Sequence, residues 1–232
     1  MAVSNSIDFA QTAQELITDA LAELGVLADE EPLEATDLAR GLRILTRMLK
    51  TWQADGVMTW TLTDGTLTLI AGQESYDFGA GGDFTTVPLE VLDMQINRGT
   101  NDLPMFRLSR EEYRAMPNKL TQGYPTQYYY DRQRQGGTLY VWPAPDATAG
   151  TLKFTYRRII MDMDAGPNNM DLPPEWYEAV VFGLAEKLIG PYSMDGKPAA
   201  ARVTAAAART YTIVKGFDVG EGMGSLSITP ER

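Results

Sequence analysis

Neither cysteine nor histidine occurs anywhere in the 232 residues. The absence of both excludes disulfides, thiolate nucleophiles and Cys/His zinc sites. It also excludes Ser-His-Asp and Cys-His catalysis and the usual proton shuttle near neutral pH. Any chemistry must run on carboxylates, Lys, Tyr or Arg. Long apolar runs are missing too: none approaches the roughly 20 residues that span a bilayer. The first residues, "MAVSNSIDFAQTAQELITDA", have no basic start and no apolar core of a secretory leader. The expectation is therefore a chain made in the cytoplasm, with no membrane anchor.

Positive charge is scarce at the front. Residues 1–39 hold nine acids and no Lys or Arg, within a net charge of −11. Residues 90–160 reverse the balance, with ten Lys/Arg against seven Asp/Glu. Net acidity argues against a tight grip on phosphates, which needs clustered cations. An acidic face either aids solubility or meets a basic partner or a polyanion that must slide past.

The length fits one domain with an insertion, or two small domains. Residues 10–24 place Ala10, Ala13, Ile17, Ala20, Leu21 and Leu24 on one helical face, and Gly25 is a natural stop. Residues 35–54 space Leu38, Leu42, Leu45, Leu49 and Trp52 by fours and threes, and Gly56 ends that helix. The period then drops to two. "TLTLIAGQESYDFG" (66–79) reads as two strands about a turn at Ala71-Gly72. "VLDMQINRG" (91–99) puts Leu92, Met94 and Ile96 on one face, and "DLPMFRLS" (102–109) reads as its return strand. Ser109 followed by Glu112 has capping-box spacing for a short helix over 109–116. "PTQYYYDRQ" (125–133) is a further strand, with Tyr128 and Tyr130 opposite Tyr129. "GTLYVWPAPDATAGTLKFTYRR" (137–158) reads as a two-stranded ribbon with a Pro-rich bend. Helix returns over 171–190, capped by Asp171, and over the alanine-rich 197–216. Gly220, Gly222 and Gly224 mark a flexible tail.

The predicted fold is thus α+β. Two N-terminal and two C-terminal helices (1–56 and 166–215) form a bundle, an antiparallel β-rich insertion spans 57–165, and a C-terminal tail covers 216–232.

Candidate chemistry is thin. Glu111-Glu112 and Asp162/Asp164 are the carboxylate pairs on which a virion-carried peptidoglycan glycan hydrolase would rely. Helical neighbours point apart, however, and Glu112 has a capping role. "MDMDAGPNN" (161–169) departs from a calcium loop at Pro167 and lacks the final Glu. "GAGGD" (79–83) lacks P-loop spacing. The aromatic-basic "YYYDRQR" (128–134) suits either packing or a single-stranded nucleic acid. No catalytic residue, cofactor or metal is expected.

Six segments, in order, match one family. They are "A-x-E-L-I-x-D-A-L-x-E-L-G-V-L" (13–27), "G-L-x-x-L-x-x-M-L-x-x-W" (41–52), "L-T-L-x-x-G-Q-x-S-Y" (67–76), "G-Y-P-x-x-Y" (123–128), "L-Y-V-W-P-A-P" (139–145) and "D-L-P-x-E" (171–175). Together they resemble the tail accessory factors of short-tailed bacteriophages, the head-to-tail adaptors or packaged-DNA stabilisation proteins. Thr46 departs from the pattern, which has Asn there. The resemblance implies a non-enzymatic virion protein at the head-tail junction, assembled in the host cytoplasm. Its implied partners are the portal protein, a downstream tail hub or nozzle, and further copies of itself in a dodecameric ring. Packaged DNA would pass through without sequence-specific contact. On this reading the ribbon projects toward a partner with Tyr140, Trp142, Pro143 and Pro145 at its bend and Arg157 and Arg158 at its end. The tail contributes Phe217, Met223, Leu226 and Ile228.

Overall fold

The computed structural model describes residues 9–28, 31–56, 59–146 and 150–222. The chain divides into two units, one drawn from residues 1–60 and 160–232 and the other from 61–159.

The first unit is helical. Helix α1 (Ala13–Glu23) opens with a capping box, in which Thr12 and Glu15 satisfy each other's backbone N–H groups. Its buried stripe is Ala13, Leu16, Ile17, Ala20 and Leu21, and Gly25 turns the chain out at φ 68°. Ala10, expected on that stripe, is exposed and precedes the cap. Helix α2 (Ala35–Ala54) follows the four-and-three spacing and buries Ile44, Leu45, Met48 and Leu49. Gly41 lets the two helices approach: a Cβ there would lie 2.6 Å from Ile17 Cγ2.

After the β-rich unit the chain returns through a 3-10 turn (Pro174–Trp176) into α4 (Tyr177–Leu188) and α5 (Pro198–Gly222). Helix α4 is apolar on two faces and packs against α1, α2 and α5, the expected position of a helix with so little polar surface. Trp52, Trp60, Trp176 and Tyr211 form one aromatic cluster, with ring centroids 4.9–6.2 Å apart.

Two expectations need correction here. Asp171 does not cap α4. Pro173 stands at the start of the 3-10 turn, and the Asp171 carboxylate instead accepts the Met161 N–H at 3.2 Å. Helix α5 also runs on to Gly222, so Phe217 lies on a helix rather than in a tail. Burial of Val214 against the helical core anchors α5 beyond the alanine-rich stretch.

The second unit packs two four-stranded sheets over one core. The first orders β1 (Leu62–Thr68), β10 (Thr151–Arg158), β3 (Pro88–Arg98) and β4 (Asn101–Pro104). The second orders β2 (Ser75–Phe78), β8 (Gly137–Trp142), β7 (Gln127–Arg132) and β5 (Phe106–Arg107). A short parallel pair joins β6 (Gln122–Gly123) to β9 (Ala144–Pro145). Helix α3 (Arg110–Ala115) carries the Ser109–Glu112 capping box. Inner faces supply Met94, Ile96, Leu152, Phe154 and Tyr156 from one sheet, and Tyr76, Phe78, Tyr128, Leu139 and Val141 from the other.

Strand partnership differs from the sequence reading. The strands at 137–142 and 151–158 are not a ribbon: β8 pairs with β2 and β7, whereas β10 pairs with β1 and β3. The Pro-rich bend is a crossover between sheets. The turn at Ala71-Gly72 is a second crossover, from β1 to β2. The two crossovers meet where the Gly72 N–H donates to the Pro145 carbonyl at 2.7 Å. The segment 102–109 splits likewise, with β4 returning along β3 and β5 joining the other sheet parallel to β7. Leu92 was expected inside but is 40% exposed, and Val91 is buried instead. A bulge explains this: Thr155 pairs with Asp93 and Tyr156 with Val91, so Leu92 is the extra residue and the face inverts beyond it.

Candidate functional site

The carboxylate pairs do not converge as an acid and base. Glu112 accepts the Ser109 backbone N–H at 2.7 Å, and this bond, with the Ser109 hydroxyl, holds its carboxyl below the ordinary range. A general acid needs the opposite shift. Asp162 pairs with Lys50 at 2.7 Å, and Asp164 accepts from the Asn168 amide at 2.6 Å. Among the described residues no group of three or more acidic side chains is placed to hold a metal ion. No described helix is long and apolar enough to cross a membrane.

The aromatic-basic segment serves packing on both faces. Tyr128 is buried in the sandwich, and the Tyr130 hydroxyl donates to the Pro88 carbonyl at 3.2 Å. Burial pushes Tyr130 up to about 12. On the other face Tyr129, Tyr140 and Tyr113 of α3 pack as a triangle, with ring centroids 4.9–5.9 Å apart. Lys119 sits 5.3 Å from the Tyr113 ring centroid.

The expected partner-contacting residues are scattered. Tyr140 belongs to that aromatic stack, and the Trp142 indole N–H donates to the Asn118 carbonyl at 3.0 Å. Pro143 is half-buried and Pro145 is buried in the crossover. Arg157 and Arg158 are half-buried near the end of β10. Phe217 is 62% exposed on α5, beside Ile213 at 59% one turn earlier. Met223, Leu226 and Ile228 lie outside the described residues.

A polarised charge layout on the helical unit escaped the sequence reading, which counted the charges of each segment without projecting them onto helices. Arg40, Arg43, Arg47 and Lys50 recur at i, i+3, i+7 and i+10 along the outer side of α2. Glu15, Asp19 and Glu23 recur at i, i+4 and i+8 along α1. The Asp19 carboxyl is raised, first by partial burial and further by repulsion from Glu15 and Glu23. Glu23 is drawn to Arg202 of α5 at 2.7 Å. An open groove of about 600 Å³ runs beside the α2 stripe, with Ala39, Leu42, Thr46 and Met163 in its walls and Arg43 and Arg47 at its rim. Thr46, the departure from the family pattern, ties this wall together: its hydroxyl donates to the Met163 carbonyl at 3.4 Å.

The chain is a helical unit interrupted by a β-rich unit, and the candidate side chains named above are engaged in packing, capping and surface ion pairs. The sequence matches the family model for the SU10 adaptor protein over residues 11–221, and the chain belongs to that phage head-to-tail adaptor family. Membership carries a structural adaptor role in a bacteriophage particle. No curated protein matches the sequence.

Proposed function

We propose that the protein is a connector that assembles as a closed ring below the portal, extends the DNA channel, helps retain packaged DNA and docks the next tail component. The match to the adaptor family across 11–221 carries this reading. A ring built from one kind of subunit needs two different lateral faces on each copy, because only a heterologous contact closes into a cycle. It also needs surfaces for unlike partners along its axis. Two units with separate cores let one chain supply both. Net acidity, −11 per chain, favours a lining along which a polyanion slides rather than sticks.

Mixing the purified chain with purified portal, followed by electron microscopy and native mass measurement, tests this. The expected product is a symmetric ring on the portal, with twelve copies for a twelvefold portal. Failure of the chain to bind portal under any assembly condition overturns the reading.

A further inference from the structure

The groove beside α2 has an apolar floor and a cationic rim, and the same unit offers its complement on another flank. The orientation follows from contacts already described. Gly41 of α2 abuts Ile17 of α1, so the Ile17 side of α1 faces α2. Glu23 reaches Arg202 of α5, so the acidic stripe lies on the flank toward α5. Basic rim and acidic stripe therefore occupy different sides of one helical unit.

Arg40 is drawn toward Asp37 at 3.8 Å and Lys50 to Asp162 at 2.7 Å. Arg43 and Arg47 are exposed at the rim, with Arg47 Nε donating to the Arg43 carbonyl at 3.3 Å. Asp164, at one end of the groove, is engaged by Asn168. Two guanidinium groups thus overhang an apolar trough of about 600 Å³. On α1, Glu15 and Asp19 are exposed and repel one another. Glu15 accepts from Thr12 in the capping box, and Asp19 accepts only from the side-chain amide of Gln11, at 3.2 Å, among the hydrogen bonds of the described residues.

We propose that the groove receives the acidic α1 face of a second copy of this chain, Asp19 meeting Arg43 and Arg47. This rests on the ring reading above and names its lateral contact. Opposite charge selects the partner face, and desolvated guanidinium–carboxylate pairs fix orientation. Because donor and acceptor faces differ, each copy keeps one of each open until the ring closes. The occupant is a like chain because the complementary stripe is present on every copy.

The test exploits the cysteine-free sequence. A chain carrying D19C and R43C, assembled on portal rings and treated with a short bis-maleimide, should give a ladder of covalent multimers. Either single-cysteine chain should give no ladder. Separately, R43E/R47E should weaken association between copies by roughly tenfold or more at low salt, and adding D19K to it should recover most of that loss. The milder R43Q/R47Q should fall between. Circular dichroism confirms that each variant is folded. Wild-type rings on portal without a ladder from D19C/R43C, or R43E/R47E rings as stable as wild type, overturn this contact and leave the adaptor reading standing. Wild type that neither binds portal nor self-associates removes both.

Discussion

Adding one methyl group at Gly65 should destabilise the β-rich unit by about 2 kcal/mol. Gly65 on β1 is the Cα partner of Phe154 on β10, and a Cβ there would stand 2.7 Å from Phe154 Cε2 and Cζ and 3.1 Å from Phe84 Cζ. Carbon atoms prefer about 3.5–4.0 Å, so the Phe154 ring would have to retreat by roughly 1 Å. It has nowhere to go: Phe154 is 2% exposed, and the rings of Phe78, Phe84 and Tyr156 stand 5.7, 5.1 and 5.8 Å from it. Overpacking of this kind costs about 1–3 kcal/mol. The better strand propensity of alanine offsets less than about 1 kcal/mol of it. With a urea m-value of about 1–3 kcal/mol per M, the unfolding midpoint should fall by roughly 1 M. Hydrogen exchange read by mass spectrometry on peptides from 61–159 separates this transition from that of the helical unit. The double variant G65A/F154L should lose less than the sum of the two singles, because the smaller side chain vacates the space the methyl needs. An unchanged or raised midpoint for G65A, or strict additivity in the double variant, refutes the packing argument.

Further outcomes follow from the same geometry. Asp55, at the end of α2, is held below its ordinary 3.8 by hydrogen bonds from Lys215 and Tyr211 of α5. Its depressed folded value means a contribution present above about 4 and lost as pH falls through the lower value, so wild-type melting temperature should drop more steeply than that of D55N in this acid range. Parallel profiles refute the clip. Tyr113, Tyr130, Tyr192 and Tyr211 are pushed up to about 12, chiefly by burial. Raised folded values contribute stability below pH 10 that is lost as pH rises through 12, and phenolate absorbance should rise in two stages. A single stage near 10 for all 11 tyrosines contradicts their burial. S109A should cost about 1 kcal/mol by removing the α3 cap, whereas E112Q, which keeps an acceptor, should cost less. Peptidoglycan zymography of wild type should show no clearing. Clearing that disappears in E112Q would restore the hydrolase reading.

The helices were legible because their signals are local. The four-and-three spacing of Leu38, Leu42, Leu45 and Leu49, the Gly56 stop and the Ser109/Glu112 box all act within a turn or two of chain. Alternation likewise sorts the residues of β8 and β10 onto two faces, Leu139 and Val141 on one side of β8 and Leu152, Phe154 and Tyr156 on one side of β10. It carries no information about which strand lies alongside, and so two strands flanking a proline bend read as a ribbon. Leu92 was misplaced because a bulge is a property of the pairing with β10, invisible in one strand alone. Gly220, Gly222 and Gly224 suggested a tail, but α5 runs on to Gly222, with Val214 buried against the helical core. At the candidate site, the acidity of 1–39 was plain, whereas the Arg43/Arg47 rim emerged only when α2 was viewed as a cylinder beside Met163.

The insertion of the β-rich unit follows from its ladder. Leu62, where the chain enters β1, is the Cα partner of Arg157, near where it leaves β10. Entry and exit are therefore neighbours, and about a hundred residues can be placed between α2 and α4 at little entropic cost to the helical core, since closure entropy grows only with the logarithm of loop length. The helical core needs that return: Trp52 and Trp60 come from before the insertion, and Trp176 and Tyr211 from after it. Each unit keeps its own buried cluster, so substitutions on the surface of one leave the packing of the other untouched, as expected for distant sites with no shared partners. For a connector this separation has a use. On the ring proposed above, lateral contacts between copies would stay on the helical unit while the β-rich unit changes to suit a different partner.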